Sequence, residues 1–249
     1  MAIIAFDLYG TLVSTASVAY ELQQSTGNDQ QALALTSLWR RYQLEYTWRL
    51  NSMGTYKPLD ALTRASLQHA AADLSIPLSD GAIDSAMATY TSALQGFMDV
   101  PDALQLIQDA PSSALPAPVD AYVFSNGTRA MIAAALAGSQ YLSPYADVFK
   151  GVVSVDDEGV RAYKPDRRAY EHLVEQVGKE GEEVWLVTAN PFDAVGAVAA
   201  GLRVIWVDRE WKGWNDRVGD VVGGLKPTLV VHSLDMAVRE VVKAISLGM

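Results

Sequence analysis

Residues 3–12 have the sequence Ile-Ile-Ala-Phe-Asp-Leu-Tyr-Gly-Thr-Leu, and the rest of the chain is organised around them. Residues 3–6 are consecutive apolar residues, a pattern typical of a strand buried on both faces of a parallel sheet. The apolar run ends at Asp7, and Gly10 and Thr11 then provide a turn and a possible helix start. An ionisable side chain at the carboxyl end of such a strand lies where open α/β sheets bind ligands. Asp7 is therefore a candidate functional residue, although an Asp after a strand can simply cap the following turn.

Residues 17–96 are predicted to be helical throughout, because no strand-like alternation interrupts their apolar pattern. Helices are expected to start at Asn28 or Asp29, at Pro58 as a first helical residue, and at Ser79. This stretch is interpreted as a helical bundle inserted after the first strand and its turn.

After Pro101, strand-like runs alternate with helical runs, which is typical of βαβ units and a parallel sheet with right-handed crossovers. The strand at residues 3–6 is expected to join that sheet, and residues 111–118 are expected to form a loop. The predicted strands are 121–125, 151–155, 184–188, 203–207 and 228–231. The predicted helices are 128–137, 166–177, 193–200 and 234–247.

Composition limits the possible partners and the cellular location. The formal net charge of −10 argues against a nucleic acid or an anionic membrane surface. There is no cysteine, which removes disulfides, thiolate nucleophiles and Cys-based zinc sites. The three histidines, His69, His172 and His232, show no metal-ligand spacing. Without a recognisable leader or an apolar run long enough to span a bilayer, we expect a cytoplasmic protein.

Four predicted strand ends run into small polar or charged residues. In a parallel sheet such ends lie at one edge. Together they contain a carboxylate, hydroxyl and amide donors, a cation and a second carboxylate, which are the parts of a covalent hydrolase: a nucleophile, orienting groups and a base for water. The segments are Asp7-Leu-Tyr-Gly-Thr11, Ser125-Asn126-Gly127, Tyr163-Lys164-Pro165-Asp166 and Thr188-Ala-Asn190-Pro-Phe-Asp193.

With these segments, and with Trp39-Arg40 and residues 44–48 in the helical part, the chain resembles the haloacid dehalogenase superfamily. It is most similar to the L-2-haloacid dehalogenases, over nearly its whole length. The resemblance implies an α/β fold: a Rossmann-like parallel-sheet core of residues 1–14 and 97–249, with an inserted helical cap of residues 15–96. The active site is expected in the cleft between the two parts.

Tyr9 separates two activities of this superfamily. Its phosphatases usually carry a second Asp two residues after the nucleophile, to protonate the leaving alkoxide, whereas halide leaves without a proton. A phosphatase also holds Mg²⁺ with acidic residues, and residues 188–193 offer Asp193 as their only carboxylate. The resemblance therefore favours a dehalogenase that needs neither a metal nor an organic cofactor.

The resemblance also implies roles in catalysis. Asp7 is expected to attack carbon 2 of the substrate, and Asp193 to activate the water that hydrolyses the resulting ester. Lys164 is expected to hold Asp7 ionised and aimed, and Arg40 to stabilise the departing halide. Thr11 and Thr188 are expected to orient Asp7 and its neighbours, and Asn190 to share a network with Asp193 and Lys164.

Substrate contacts are expected on both sides of the cleft. Ser125 and the amides of Leu8 and Tyr9 are expected to hold the substrate carboxylate, and Asn126 to assist Arg40. Arg41, Leu59 and residues 191–192 depart from the usual family pattern, which leaves substrate size open. The full set expected to bind or enclose the substrate is Leu8, Tyr9, Arg40, Ser125, Asn126, Leu44, Leu59, Tyr170 and Phe192.

Several of these residues also have purely structural interpretations. Lys164 could be a solvated loop lysine, Arg40 part of an exposed helix face, and Asp166 an N-cap. Ser125 and Thr188 could satisfy strand-end backbone groups, and helical tyrosines such as Tyr170 usually pack.

The function predicted from sequence is hydrolytic dehalogenation of short (S)-2-haloacids to (R)-2-hydroxyacids through an aspartyl ester on Asp7. The alternatives are ring opening of a strained carboxylate such as azetidine-2-carboxylate, a Mg²⁺-dependent phosphatase, and a non-enzymatic binding protein. Family relatives are commonly homodimers, which makes a homodimer the expectation here.

Overall fold

The computed structural model describes residues 2–109, 119–178 and 184–247. Strand β1 (Ala2–Asp7) lies inside a six-stranded sheet of order β3-β2-β1-β4-β5-β6, in which every neighbouring pair is parallel. The other strands are β2 (Val119–Ser125), β3 (Phe149–Ser154), β4 (Val184–Thr188), β5 (Arg203–Val207) and β6 (Leu229–Val231). The predicted parallel α/β fold is thus confirmed.

Helices connect these strands and flank the sheet. The chain crosses from β1 toward β3 and later from β1 toward β6, so right-handed crossovers in the two directions place helices on opposite faces. Helix α5 packs against α10, and α7 packs against α8. Their bounds are α5 (Val100–Gln108), α6 (Arg129–Gly138), α7 (Arg167–Val177), α8 (Pro191–Ala199), α9 (Val218–Val221) and α10 (Leu234–Ser246).

The chain between β1 and α5 is mainly helical. A short 3₁₀ turn (Thr15–Val18) leads into α1 (Ala19–Thr26), α2 (Asp29–Ser52), α3 (Leu59–Asp73) and α4 (Asp80–Ser92). The chain leaves and re-enters the sheet layer at adjacent points: Ser14 N donates to Gln95 O at 2.8 Å, and Phe97 N donates to Leu12 O at 3.1 Å.

Helix starts in this group follow the capping residues in the sequence. Asn28 caps α2 by accepting from Gln31 N, and the Ser79 hydroxyl caps α4 by accepting from Ala82 N. The prediction for Pro58 is wrong by one position, since Pro58 is extended at ψ 149° and the helix begins at Leu59.

Two helices were missed from the sequence. Helix α5 starts at Val100 with Pro101 in its first turn, where the missing N–H of proline costs nothing. Helix α9 is only one turn long and carries no extended apolar period. The loop predicted at residues 111–118 lies outside the described residues. In the described part of the chain, no helix is long and apolar enough to cross a membrane.

Candidate active site

The Asp7 carboxylate lies at the carboxyl end of β1, only 5% exposed, and donors from three segments fix it. Its Oδ2 accepts from Thr11 Oγ1 at 2.8 Å, from Asn190 Nδ2 at 2.7 Å and from Thr188 Oγ1 at 3.5 Å. Its Oδ1 accepts only from Lys164 Nζ, at 3.1 Å, among the described residues. Thr11 and Thr188, which were expected to orient Asp7, thus bond the same oxygen as Asn190, and the other oxygen has fewer donors.

The turn after Asp7 depends on glycine. Gly10 has φ +92°, a left-handed conformation that other residues rarely adopt, and a Cβ there would lie 3.1 Å from Asn190 Oδ1. Leu8 is buried in the core, and its carbonyl closes the turn by accepting from the amides of Thr11, Leu12 and Val13. The Leu8 side chain does not reach the cavity; an interaction of its amide with substrate stays a prediction.

Lys164 is buried (1% exposed) and bridges two carboxylates. Its Nζ donates to Asp7 Oδ1 at 3.1 Å and to Asp193 Oδ2 at 3.0 Å, and also to the Phe124 carbonyl at 3.0 Å. Its backbone amide donates to Asn126 Oδ1 at 3.0 Å. The alternative of a solvated loop lysine is therefore wrong, and a single ammonium links the first strand to α8, the helix that follows the fourth strand.

Asp193 is fully buried in α8, directly behind this lysine. Burial raises the pKa of its carboxyl, and so does the negative charge of Asp7, whereas Lys164 and the hydroxyl of Tyr170 lower it. Tyr170 OH donates to Asp193 Oδ1 at 2.9 Å. A carboxylate with a raised pKa is a better proton acceptor near neutral pH. Tyr170 itself lies beside Asp193 and does not line the cavity.

Arg40 enters from α2, on the opposite side of the cavity from the sheet. Its Nη2 donates to the Tyr9 carbonyl at 3.3 Å, and its Nη1 donates to Gln43 Oε1 at 2.7 Å. Arg41 is exposed. The interpretation of Arg40 as part of an exposed helix face is therefore wrong, although it holds for its neighbour.

These groups surround a small cavity between α2 and the sheet edge. Most of its lining side chains are polar, and Leu44, Leu59 and Phe192 are its apolar ones. The cavity is lined by Asp7, Tyr9, Arg40, Gln43, Leu44, Thr47, Leu59, Asn126, Asn190 and Phe192. Of the residues expected to bind or enclose substrate, Leu8, Ser125 and Tyr170 are not part of this lining.

Other predicted residues have structural partners. Asp166 caps α7 by accepting from Arg168 N, as its N-cap interpretation required. Ser125 is fully buried, and its Oγ accepts from Gly127 N at 3.0 Å. Thr188 Oγ1 accepts from Asn190 N at 3.1 Å as well as facing Asp7. The Thr188 hydroxyl thus accepts a hydrogen bond from a backbone amide and donates one to the Asp7 carboxylate.

Gln43 and Tyr90 of this region were missed from the sequence, as was Thr47 of the cavity lining. Gln43 is fully buried, and its Oε1 accepts from both Arg40 and Tyr90 OH, at 2.7 and 2.8 Å. Its Nε2 donates to Thr63 Oγ1 at 2.6 Å. Gln43 lies three residues after Arg40, on the same helix face, and this spacing was an available signal. Tyr90 comes from α4, far along the chain, and no local pattern pointed to it.

The described residues were also considered as ligands for a metal ion. Among residues 2–109, 119–178 and 184–247 there is no cluster of three or more His, Cys, Asp or Glu residues that could hold a metal ion. The space between the two buried carboxylates is filled by the Lys164 ammonium.

Comparison with known proteins places this arrangement in one family. A family model described as haloacid dehalogenase-like hydrolase matches residues 1–201. An (S)-2-haloacid dehalogenase of Pseudomonas putida is 31% identical, covering 93% of this chain and 92% of the relative. A crystal structure of an L-2-haloacid dehalogenase has a TM-score of 0.81 at 27% identity, covering 97% and 98% of the two chains. The L-2-haloacid dehalogenase of Xanthobacter autotrophicus with chloropropionic acid covalently bound has a TM-score of 0.78 at 27% identity, with the same coverage.

Proposed function

The chain belongs to the haloacid dehalogenase-like hydrolases, in the L-2-haloacid dehalogenase branch, and from this premise we propose that it hydrolyses short (S)-2-haloacids to (R)-2-hydroxyacids. The observation that carries the proposal is the buried bridge of Asp7, Lys164 and Asp193 below a cavity that Arg40 closes from α2. It combines a nucleophile, a base and a cation for the leaving group in one small space.

In the first step, Asp7 Oδ1 attacks carbon 2 of the haloacid from the side opposite the halogen. A carbon–oxygen bond forms, the carbon–halogen bond breaks, and the halide leaves with the bonding electrons, so the centre inverts. Three donors hold Oδ2, which leaves Oδ1 as the freer oxygen. The Arg40 guanidinium, assisted by the Asn126 amide, stabilises the departing anion.

In the second step, water attacks the Asp7 carboxyl carbon and gives its proton to Asp193. The acyl–oxygen bond then breaks, the departing alkoxide takes the proton held by Asp193, and loss of the second water proton to solvent leaves the Asp7 carboxylate and the free hydroxyacid. The raised pKa of the buried Asp193 carboxyl favours proton uptake. Lys164 contacts both carboxylates and stabilises the negative charge that develops on the ester oxygen.

The substrate is enclosed from both sides. Ser125 and the amides of Leu8 and Tyr9 hold its carboxylate, and Leu44, Leu59 and Phe192 form the wall around its alkyl group. Residues 15–96 act as the cap and residues 1–14 and 97–249 as the core, and the cap excludes water from the first step. The pairing of residues 12–14 with residues 95–97 supports these boundaries.

A Mg²⁺-dependent phosphatase is disfavoured by two features. Tyr9 takes the position of the second Asp, so no acid is available there to protonate an alkoxide. The Lys164 ammonium lies 3.0–3.1 Å from both carboxylates, where a divalent cation bridging them would compete with it.

The first experiment is halide release from each enantiomer of 2-chloropropionate, with and without EDTA. We expect chloride from the S enantiomer alone, unaffected by EDTA, with (R)-lactate as the product. p-Nitrophenyl phosphate and azetidine-2-carboxylate are assayed alongside. Magnesium-dependent phosphate release without chloride would overturn the proposal. Turnover of azetidine-2-carboxylate alone would show that the substrate is a strained-ring carboxylate, opened through the same Asp7 ester.

Asp7→Asn tests the nucleophile. We expect halide release to fall by at least a thousandfold, because an amide is a poor nucleophile, on the order of the losses seen when covalent nucleophiles are removed. The folded state is checked by circular dichroism, and Asp166→Asn, at an N-cap outside the cavity, serves as the control. Full initial activity of Asp7→Asn, without a lag, would contradict the assignment.

Two further expectations remain predictions. A homodimer, expected from the family, is tested by light scattering of the purified protein. A cytoplasmic location is tested by fractionation of the cells that express it.

A further inference from the structure

One face of helix α2 carries residues at the spacing i, i+4, i+7 and i+11: Arg40, Leu44, Thr47 and Asn51. This spacing returns to the same side of an α-helix at each step. The first three of these residues line the cavity, whereas Asn51 does not. Eleven residues of helix extend about 16 Å, so Asn51 lies at the far end of this face from Arg40. The polar side chain at that end therefore has a task other than direct contact with the substrate.

The Asn51 side chain holds both backbone polar groups of one buried residue, Tyr163. Its Oδ1 accepts from Tyr163 N at 3.0 Å, and its Nδ2 donates to Tyr163 O at 2.6 Å. A side-chain amide carries an acceptor and a donor side by side, so it can satisfy an N–H and a carbonyl at once. The next residue is Lys164, whose amide donates to Asn126 Oδ1 at 3.0 Å. Two asparagines, one on α2 and one after β2, therefore hold the backbone at Tyr163 and Lys164.

The backbone that carries Lys164 is a loop. Residues 155–166 connect β3 to α7, and Lys164 lies ten residues beyond the end of β3. Its ammonium nevertheless has a defined place, 3.1 Å from Asp7 Oδ1 and 3.0 Å from Asp193 Oδ2. Hydrogen bonds weaken steeply when their distance or angle changes. The position of the ammonium therefore depends on the groups that fix this loop.

We propose that Asn51 is a positioning residue for Lys164: by holding the backbone of Tyr163, it places the ammonium between the two carboxylates. Among the described residues, the hydrogen bonds of the Asn51 side chain go to Tyr163 alone, so it acts only through the loop. The same helix thus brings Arg40 to one end of the cavity and fixes the Lys164 bridge from the other. The inference deepens the proposed function, which gives Lys164 its chemical role, but the placement of the ammonium can be measured without turnover.

The pKa of Asp193 reports where the ammonium lies. Burial and the charge of Asp7 raise this pKa, whereas Lys164 and the hydroxyl of Tyr170 lower it. Of these neighbours, Lys164 is the one whose backbone Asn51 helps to hold. A displaced ammonium would therefore raise the pKa of Asp193 further, while a change in packing that left the ammonium in place would not.

Asn51→Leu is the test variant, because leucine has nearly the same shape and no polar atom with which to hold the Tyr163 backbone. We expect the pKa of Asp193 to be higher in Asn51→Leu than in the wild type. It is measured without substrate by carbon-13 NMR of protein labelled at the aspartate carboxyl groups, with Asp193→Asn to assign the signal. Asn51→Ala, which releases the same backbone without adding apolar surface, should give the same rise.

Tyr56→Phe is the matched control. Tyr56 precedes α3 and stacks on the Tyr163 ring with centroids 5.1 Å apart, and its hydroxyl donates to Asp156 Oδ1 at 2.7 Å. The substitution removes a hydrogen bond between the same two segments, residues 51–57 and 156–163, without releasing the Tyr163 backbone. It should therefore leave the pKa of Asp193 unchanged.

Catalysis gives a second measurement if the chain is the proposed dehalogenase. In Asn51→Leu, kcat for (S)-2-chloropropionate should fall about tenfold, since the ammonium no longer bridges the reacting groups as well. KM should stay nearly the same, because Asn51 does not line the cavity.

An unchanged pKa of Asp193 in Asn51→Leu and Asn51→Ala, with both folded by circular dichroism, would overturn the inference, since the loop would then place Lys164 without α2. An equal rise in Tyr56→Phe would overturn it as well, because the effect would come from loosening of the whole contact. Chloride release by the wild type decides the dehalogenase proposal separately. The pKa comparison decides the role of Asn51 whether or not chloride is released.

Discussion

Lys164 is the residue on which the charge balance of the cavity depends. A buried ammonium loses several kcal/mol of hydration, and it is retained here because two carboxylates and a carbonyl accept its protons. Its charge also limits the repulsion between Asp7 and Asp193, which would otherwise disfavour two ionised carboxylates so close together. One lysine therefore lets the proposed nucleophile, Asp7, and the proposed base, Asp193, both carry a charge in the same buried space.

Tyr170 changes the pKa of Asp193, the proposed base. Its hydroxyl bonds the Asp193 carboxylate, which lowers the pKa of that carboxyl against the opposing effect of burial. In Tyr170→Phe the donor is lost, so the pKa of Asp193 rises further. Since only ionised Asp193 accepts the proton of water, the acid limb of the kcat profile should move to higher pH, with a severalfold loss of rate at its acid end and little loss on the plateau.

The measurement is kcat against pH for the wild type and Tyr170→Phe, with Tyr122→Phe, at a half-buried tyrosine on β2 away from the cavity, as the control. An equal loss of kcat at every pH would indicate that Tyr170 acts through packing alone.

At the scale of elements, α2 carries the groups that reach the cavity from the helical side. Arg40 and Gln43 lie on one face of this 24-residue helix. At its end, the Asn51 side chain accepts from Tyr163 N at 3.0 Å and donates to Tyr163 O at 2.6 Å, beside Lys164. A single helix therefore positions Arg40, the proposed cation for the leaving group, and also holds the backbone next to the buried lysine.

Gln43 is expected to act through Arg40. Gln43→Met keeps the volume of the side chain but removes the acceptor shared by Arg40 and Tyr90. With the guanidinium less well held, the single-turnover rate of halide release should fall about tenfold for a 2-chloroacid and less for the 2-bromoacid, because chloride is the poorer leaving group. The ratio of bromide to chloride rates should therefore rise.

Thr36→Val is the matched control for this prediction. Thr36 is a buried polar residue of the same helix whose hydroxyl has no partner among the described residues, so the ratio should not change. Equal losses of the halide-release rate for the 2-chloroacid and the 2-bromoacid in Gln43→Met would show that Gln43 has only a structural role.

At the scale of the whole molecule, one cation ties together segments that are distant in the sequence. Arg209, after β5, makes a bidentate pair with Asp99 at 3.0 Å on both arms and donates to the Thr11 carbonyl at 2.9 Å. Asp99 also accepts from Leu234 N, at the start of α10, at 3.0 Å. The turn of the nucleophile is thus fastened to the point where the chain returns from the helical group.

Arg209→Met should lower the free energy of unfolding by about 2 kcal/mol, because it leaves a largely buried Asp99 with one donor and frees the Thr11 carbonyl. Arg64→Met is the control, since its pair with Asp84 is about half exposed and should contribute below about 1 kcal/mol. Urea unfolding measures both. Equal effects of the two substitutions would show that the Arg209 pair is no stronger than a surface pair.

Much of this arrangement was predictable because its signals are local. A run of apolar residues ending in Asp7, the capping residues Asn28 and Ser79, and the alternation of strands and helices depend on neighbours along the chain. The convergence of strand ends followed from the parallel sheet for Asp7 and Thr188. The prediction that residues 163–166 lie at a strand end is wrong, because Lys164 is ten residues beyond the end of β3 and reaches Asp7 from the segment before α7. The family resemblance supplied the order of these residues and the expected chemistry.

Only the tertiary structure decided which atoms of these residues meet. Lys164 bridges two carboxylates, Gln43 holds Arg40 together with Tyr90, and the Tyr9 ring packs against Gly127 so closely that a Cβ there would lie 2.9 Å from Tyr9 Cε2. These contacts join residues up to 157 positions apart, and no local pattern encodes such distances. The sequence by itself determined the fold class and the set of chemical groups, because propensity and apolar periodicity act between near neighbours. The hydrogen-bond partners and the burial of each residue depend on how the helices pack on the sheet. The pKa of Asp193 is raised for the same reason, because its carboxyl loses water only when the protein is folded.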